Sequence, residues 1–143
     1  MNIKIEYLIE LGADKVPHSG GTLLEHLIGV HDILSSNGAP QYVCDAGLYH
    51  SIYGTFVFKH QTTKDRDKVR EVIGYDAERL VNEFCLLQNP RKYFIGELQD
   101  GDLRRYLTLL NDANYIEQSN RPTPEMSMEE AYGHIGFDSG RNI

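Results

Sequence analysis

The sequence predicts an all-α fold, and three observations lead to this prediction. Apolar residues recur almost throughout the chain at the spacing of about 3.6 residues that is typical of amphipathic helices. Capping residues, glycines and prolines divide this pattern into segments. The residues that favour strands are gathered in one short stretch, residues 53–63. We therefore expect a bundle of about six or seven helices.

Two helices are predicted in the first quarter of the chain. The first covers about residues 2–12. Thr22 and Glu25 then form a T-x-x-E capping box immediately before an apolar run, which predicts the start of a second helix. This helix continues to about residue 36, because Asn37-Gly38 is a favourable pair for a helix C-terminus.

The middle of the chain predicts three further helices around one loop. Pro40 can open a helix over about residues 40–51. Residues 53–63 are interpreted as a loop, since their strand-like composition is too short for a sheet. A helix over about 64–73 ends at Gly74. Asp76 is a candidate N-cap for the next helix, over about 77–88.

The last third of the chain predicts one long helix and a C-terminal extension. Leu103, Leu107 and Leu110 share one face of a helix over about 103–117. A proline-containing linker follows, and Ser127 can cap a short helix over about 128–135. We interpret residues 1–143 as a single domain with a helical core over about 2–117 and an extension over 118–143.

Charge and composition exclude several classes of function. The net charge of −7 opposes binding to nucleic acid and to anionic membranes. The basic residues between 64 and 70 alternate with acidic ones, which is typical of a solvated helix face. No apolar stretch reaches the length of a membrane span, and the N-terminus does not resemble a signal peptide. We expect a cytoplasmic protein without nucleic-acid or membrane partners, in which Cys44 and Cys85 are buried thiols rather than disulfide or metal partners.

The positions of the histidines on the predicted helices limit which of them can act together. On the second helix, His26 and His31 lie on opposite flanks of the apolar stripe, with their side chains roughly 140° apart, so they cannot bind one ion together. His50 lies on the buried face of the helix over 40–51, where small residues allow close approach of a neighbour. The short connection between the two helices favours antiparallel packing, which brings His50 towards His26. Two inward histidines on facing helices form part of a candidate metal site.

Three segments resemble a known enzyme family. Residues 18–34 read HSGGTLLEHLIGVHDIL and are similar to the segment S-G-E-P-Y-I-x-H-P that opens the hydrolase domain of RelA/SpoT-type alarmone enzymes. Residues 45–55, DAGLYHSIYGT, resemble the A-L-L-H-D-x-x-E-D-T segment of these enzymes. Residues 72–87, VIGYDAERLVNEFCLL, resemble their F-G-x-E-V-A-x-L-V-D-G-V-T-K-L helix. The resemblance implies an HD-domain-like helical fold with a metal-dependent phosphohydrolase site.

The resemblance also shows where this chain departs from the HD pattern. His26 and His50 match two metal-binding histidines of the pattern. Ser51 stands in place of the aspartate of the His-Asp pair, and Asn82 stands in place of the last metal-binding aspartate. The acidic pair that positions water in the alarmone hydrolases is replaced by Gly54 and Thr55. Loss of these carboxylates weakens binding of hard ions such as Mn²⁺ and argues against alarmone hydrolysis by the family mechanism.

Three hypotheses for the site follow. In the first, His26 and His50 hold a divalent ion, with the softer zinc, iron or nickel favoured and manganese also a candidate. The enzyme would then be a hydrolase or an HD-type oxygenase, and the candidates for additional metal ligands are His18, His60, Glu83, Asp112 and His134.

In the second hypothesis, no metal is bound. His50 or His26 then acts as general acid or base, and the candidates for orienting it or touching substrate are Ser51, Tyr53, Thr55 and Asn82. In the third, the pocket is inactive and binds a small ligand or a partner protein. Of these, we favour an enzyme acting on a small, phosphorylated or nucleotide-like molecule.

Overall fold

The protein is an all-α helical bundle, as the sequence predicts. The computed structural model describes residues 2–121, and this part of the chain contains seven α-helices and one small β-hairpin. In chain order the elements are α1 Ile3–Glu10, β1 Pro17–His18, β2 Gly21–Thr22, α2 Leu23–Ser36, α3 Gln41–Tyr49, α4 Arg66–Ile73, α5 Tyr75–Leu86, α6 Arg91–Gly96 and α7 Gly101–Ser119. A short 3₁₀ turn, Ala13–Lys15, precedes β1.

The start of α2 is fixed by the capping box that the sequence predicts. The Thr22 hydroxyl accepts a hydrogen bond from the Glu25 backbone N–H at 3.2 Å, and the Glu25 carboxylate accepts one from the Thr22 N–H at 3.0 Å. Two backbone donors that the helix leaves without partners are thereby satisfied. This cap sets the register of α2 and directs His26 and Leu27 into the core.

Helices α2 and α3 pack closely, and a glycine makes this possible. A Cβ atom on Gly47 would lie 2.5 Å from Cδ1 of Leu34 and 3.2 Å from Cγ1 of Val30. A larger residue at position 47 would therefore push α3 away from α2. The close approach brings His50, at the C-terminus of α3, against α2. Helix α7 packs against both α2 and α3 and completes the core around this point.

The hairpin of β1 and β2 was not predicted. Pro17 pairs with Thr22 and His18 with Gly21, and Ser19 and Gly20 between them have φ angles of 46° and 85°. Positive φ at both central residues is the signature of the tight turns that join hairpin strands. Strands of two residues leave no periodic pattern, so periodicity could not indicate this hairpin. The hairpin matters because it carries His18 to the bundle interior.

Two other expectations about the helices are corrected. Helix α5 starts at Tyr75, with Gly74 as its N-cap at φ 91°, so Asp76 lies inside the first turn and is not the cap. Glycine occupies this position because its φ lies in a region that L side chains rarely adopt. Helix α6 was missed, since six residues are too few to show helical periodicity.

The remaining expectations concern the loop, the cysteines and the C-terminus. Residues 53–63 contain no helix or strand, as predicted. Cys44 and Cys85 are free thiols, the first buried and the second half-buried. The predicted helix over 128–135 lies outside the described residues. Within residues 2–121, none of the helices is long and apolar enough to cross a membrane.

Candidate functional site

His26 and His50 meet in the core where α2, α3 and α7 come together. Both side chains are buried, with 0% and 2% of their surface exposed. Their ring centres lie 5.0 Å apart, and the Nε2 atoms are separated by 3.3 Å. The two predicted helices therefore pack as the sequence suggested and place both imidazoles at one point.

The Nδ1 atoms of these two histidines are both engaged. Nδ1 of His26 lies 2.5 Å from Oε1 of Glu117, and Nδ1 of His50 lies 2.8 Å from the carbonyl oxygen of Gly47. Carboxylate and carbonyl oxygens only accept hydrogen bonds, so both Nδ1 atoms must carry the proton. In a neutral imidazole the other nitrogen is then an acceptor. Each Nε2 therefore carries a lone pair, and the two Nε2 atoms lie 3.3 Å apart.

A third acceptor lies at the same point. Oδ1 of Asn114, on α7, lies 2.8 Å from Nε2 of His26 and 3.1 Å from Nε2 of His50. Three acceptor atoms thus converge within 3.3 Å of one another in a buried space. Such an arrangement is unfavourable unless a positive centre or a donor lies between the atoms.

Burial keeps the histidines neutral at neutral pH. Burial lowers the pKa of His26 to about 3, and the nearby charges of Arg121 and Arg91 act in the same direction. Burial also places the pKa of His50 well below its usual value, with a further lowering by His26. Neutral imidazoles are the form that binds metal ions.

Glu117 is held in place from two sides. Its second carboxylate oxygen accepts a hydrogen bond from Nη2 of Arg121 at 2.7 Å, and Arg121 lies just beyond the C-terminus of α7. A Cβ atom on Gly29 would lie 2.7 Å from Cγ of Glu117, so α2 leaves space for this side chain only because residue 29 is glycine. The His26–Glu117 contact therefore depends on residues from both helices.

A small cavity of about 20 Å³ adjoins the two imidazoles. This volume is enough for one water molecule or a group of similar size. The side chains that surround it come from the hairpin, from α2, α6 and α7, and from the C-terminal end of α3 and the loop that follows it: His18, His26, His50, Ser51, Thr55, Val57, Phe58, Arg91, Asn114 and Gln118.

Four of the six residues proposed from the sequence lie at this cavity, and two do not. Ser51 and Thr55 line it together with His26 and His50. Thr55 also holds the loop, since its hydroxyl accepts a hydrogen bond from the Phe58 N–H at 2.8 Å. Tyr53 does not line the cavity, and its hydroxyl donates a hydrogen bond to Glu78 at 2.8 Å. Glu78 is a buried carboxylate that Arg66 and Arg70 also contact. Asn82 is not among the lining residues, and the amide beside the histidines belongs to Asn114.

Four of the five additional ligands suggested from the sequence lie within the described residues, and none of these four joins the histidine pair. His18 lines the cavity but stacks flat on the His26 ring, with ring centres 4.2 Å apart and an interplanar angle of 15°. His60, Glu83 and Asp112 do not line the cavity, and His134 lies outside the described residues. Within residues 2–121, no group of three or more His, Cys, Asp or Glu side chains is arranged to hold a metal ion. The third acceptor is instead an amide.

Asn114 and Glu117 are the site residues that sequence reasoning missed. They continue the buried stripe of Leu103, Leu107 and Leu110 along α7, at the same spacing of three and four residues. Polar residues on an otherwise apolar helix face are a signal of a buried polar site, and this signal was present in the sequence. It could not show which other helix the two side chains meet.

A family model described as a domain of unknown function, DUF6817, matches residues 7–89, which is more than half of the chain. No curated protein and no solved structure matches the sequence. The matched segment includes His26 and His50, whereas Asn114 and Glu117 lie beyond its end.

Proposed function

The chain belongs to the DUF6817 family, and since that family's description assigns no activity, we propose a function from the site alone. The protein is a metal-dependent, HD-like hydrolase that acts on a small phosphorylated molecule. The ion is held by Nε2 of His26, Nε2 of His50 and Oδ1 of Asn114. The observation that carries this proposal is the convergence of three buried acceptor atoms at separations of 2.8, 3.1 and 3.3 Å.

The separations suit atoms that bind a single ion. Two ligand atoms about 2.0–2.1 Å from a zinc ion lie about 2.9–3.4 Å from each other at bond angles between 90° and 109°. The hydrogen bonds at Nδ1 also suit this role. Metal-binding histidines usually donate the other ring N–H to a carboxylate or a carbonyl, as His26 does to Glu117 and His50 to Gly47.

The ligand set favours softer ions over hard ones. Two imidazoles and one amide are neutral, whereas Mn²⁺ and Mg²⁺ are bound mainly through carboxylates. We therefore propose zinc, iron or nickel as the divalent ion. A bound ion of this kind would polarise a phosphoryl group and lower the pKa of a water molecule.

The chain's own residues supply orientation and exclude bulk solvent. Glu117 holds the Nδ1 proton of His26, so that Nε2 is available as a ligand. His18 lines the cavity with a buried Nδ1 atom that has no hydrogen-bond partner among residues 2–121, and this nitrogen can hydrogen-bond a water molecule beside the ion. Phe58 packs edge-on against His18 and limits access from the loop side. The resemblance of residues 18–87 to HD hydrolases supports the same reaction class.

The test begins with metal content. Protein purified without chelators is expected to carry about one zinc, iron or nickel ion per chain by elemental analysis. His26→Gln and His50→Gln should each lower the content at least about tenfold. His31→Gln on the same helix is the matched control, because His31 lies outside the cavity lining. Phosphate release from a panel of phosphomonoesters and nucleotides then tests the reaction class.

A chelator-insensitive protein that takes up no added zinc would contradict the metal site. The Asn114 amide would then be expected with its NH₂ group between the two rings, where it can donate to both Nε2 atoms. That result would favour a metal-free binding module.

A further inference from the structure

Arg121 joins the carboxylate of Glu117 to the start of α2. Its Nη2 atom donates a hydrogen bond to Oε2 of Glu117 at 2.7 Å, and its Nη1 atom lies 3.8 Å from Oε1 of Glu25. Oε1 of Glu25 is also the atom that accepts the Thr22 N–H in the capping box. The arginine therefore connects the C-terminal end of α7 to the N-terminal end of α2.

The fold leaves room for this arginine and largely buries its ion pair. A Cβ atom on Gly21 would lie 2.8 Å from Nη1 of Arg121 and 2.3 Å from Oε1 of Glu25, so a larger residue at position 21 would displace one of the two groups. Only 15% of the Arg121 side chain and 11% of the Glu117 side chain are exposed. A charge-assisted hydrogen bond that is mostly buried is weakly screened and holds both partners in one geometry.

The two oxygens of the Glu117 carboxylate have different partners. Oε2 is held by Arg121, and Oε1 faces Nδ1 of His26 at 2.5 Å. A glutamate side chain has several rotatable bonds, so a hydrogen bond at one oxygen limits where the other can lie. Arg121 does not contact the imidazole through this arrangement, but it determines the position of the oxygen that does.

Glu117 in turn decides which ring nitrogen of His26 carries the proton. With Oε1 at Nδ1, the proton lies on Nδ1 and Nε2 keeps its lone pair. The other tautomer also has a partner, because Oδ1 of Asn114 lies 2.8 Å from Nε2 and would accept a hydrogen bond from it. In that tautomer Nε2 has no lone pair available for a metal ion.

His50 has no comparable choice. Its Nδ1 donates to the carbonyl oxygen of Gly47 at 2.8 Å, and this oxygen belongs to the backbone of the same helix. The protonation of His50 at Nδ1 therefore does not depend on a side chain that can turn away. His50 serves as an internal reference for changes at His26.

We propose that Arg121 is a positioning residue, which holds Glu117 against His26 and so selects the His26 tautomer that can bind a metal ion. Without the guanidinium, the carboxylate leaves Nδ1, and the proton moves to Nε2, where it is donated to Asn114. The consequence for metal binding rests on the proposed function, whereas the tautomer itself requires no metal.

The experiment reads the tautomers by nitrogen NMR of chelator-treated protein labelled with ¹⁵N-histidine, since the chemical shift distinguishes a protonated ring nitrogen from an unprotonated one. In wild type both His26 and His50 should carry the proton on Nδ1. In Arg121→Gln, His26 should change to the tautomer protonated at Nε2, and His50 should not change. Arg105→Gln is the matched control, because it removes an exposed arginine from the first half of α7 and should leave both histidines as in wild type.

Zinc affinity, measured by chelator competition, gives a second readout. Arg121→Gln should lower it at least about tenfold, as loss of a group that orients a metal ligand usually does. Arg121→Lys keeps a positive charge that can reach Glu117 and should recover part of the affinity. Arg121→Met keeps the length of the aliphatic chain and replaces Arg121→Gln if that variant does not fold.

A His26 that stays protonated at Nδ1 in the folded neutral variant would overturn the role of Arg121, and so would a wild type protonated at Nε2. A purely structural role would lower stability to denaturant and zinc affinity without changing the tautomer. A tautomer change in a protein that binds no zinc would support the role of Arg121 and remove the proposed function. Wild-type zinc binding with an unchanged tautomer in Arg121→Gln would do the reverse.

Discussion

Glu117 accepts a hydrogen bond from Nδ1 of His26 across 91 positions of the sequence. This contact joins the second helix of the bundle to the last one and fixes the tautomer of the histidine. The same arrangement leaves Nε2 of His26 facing Nε2 of His50 and Oδ1 of Asn114. The chemistry proposed here depends on this pair of residues, and four predictions test the surrounding structure.

Gly29→Ala should disturb the His26–Glu117 contact. The added Cβ would lie 2.7 Å from Cγ of Glu117 and 2.9 Å from its Oε2, so the carboxylate must move. We expect a loss of about 1–3 kcal/mol in the free energy of unfolding, together with weaker zinc binding. Denaturant titration and chelator competition measure the two effects.

Gly96→Ala is the control for this substitution, because no atom of the described part of the chain lies within 4 Å of a Cβ at that helical position. It should stabilise the protein slightly or have no effect. A Gly29→Ala protein that is as stable as Gly96→Ala and binds zinc normally would show that Glu117 is not confined in this way.

Asn114→Asp should shift the metal preference of the site towards hard ions. A carboxylate at this position would lie beside both imidazoles and supply the negative charge that Mn²⁺ prefers. We expect the affinity for Mn²⁺ to rise at least about tenfold, measured from the electron paramagnetic resonance signal of free Mn²⁺. Asn120→Asp, at the exposed end of α7, adds the same charge away from the site and should not change the affinity. Equal Mn²⁺ binding by both variants would argue against Asn114 as a ligand.

The metal-free protein should lose stability below pH 6.5. Burial lowers the pKa values of His18 and His26 to about 3 and that of His50 well below its usual value. As the pH falls through 6.5, the unfolded chain binds protons at these residues while the folded protein does not, so the free energy of unfolding decreases until about pH 3. Between pH 7.5 and 5.5 a buried histidine whose folded-state pKa lies below this range contributes a loss of roughly 1 kcal/mol.

Urea titrations at the two pH values measure this loss. His18→Gln should remove part of this loss, because it deletes one of the three buried imidazoles. A stability that is constant between pH 7.5 and 5.5 would mean that these histidines are accessible to protons in the folded protein.

Tyr53→Phe should affect stability without affecting the metal site. The Tyr53 hydroxyl donates to Glu78, a carboxylate that is 1% exposed and also contacts Arg66 and Arg70. Loss of a hydrogen bond to a buried charged group costs about 1.5–3 kcal/mol. Zinc affinity should stay within about twofold of wild type, since Tyr53 does not line the cavity. Tyr93→Phe, at an exposed position, is the control and should change neither quantity. A Tyr53→Phe protein of normal stability but impaired zinc binding would restore the role first suggested for Tyr53 from the sequence.

Prediction from the sequence worked best where the physical cause is local. The capping box of Thr22 and Glu25, the apolar stripe of α2 and the small residues of α3 all act within one or two helical turns. A short connection then limited how α2 and α3 could pack, which was enough to bring His26 and His50 together. The short elements, β1, β2 and α6, were missed because they contain too few residues for a periodic pattern.

The sequence by itself determined an all-α bundle and the inward position of two histidines, because side-chain periodicity and helix caps are local properties of the chain. The tertiary structure decided which polar residues join them. Asn114 and Glu117 lie 64 and 91 positions from their histidine partners, and only the packing of α7 on α2 and α3 brings them there. In the same packed structure, the Tyr53 hydroxyl donates a hydrogen bond to Glu78, and Asn82 does not line the cavity. Residues that are neighbours in the sequence can point in different directions at the end of a helix. The side chains of a buried site, in contrast, come from helices that are far apart in the chain.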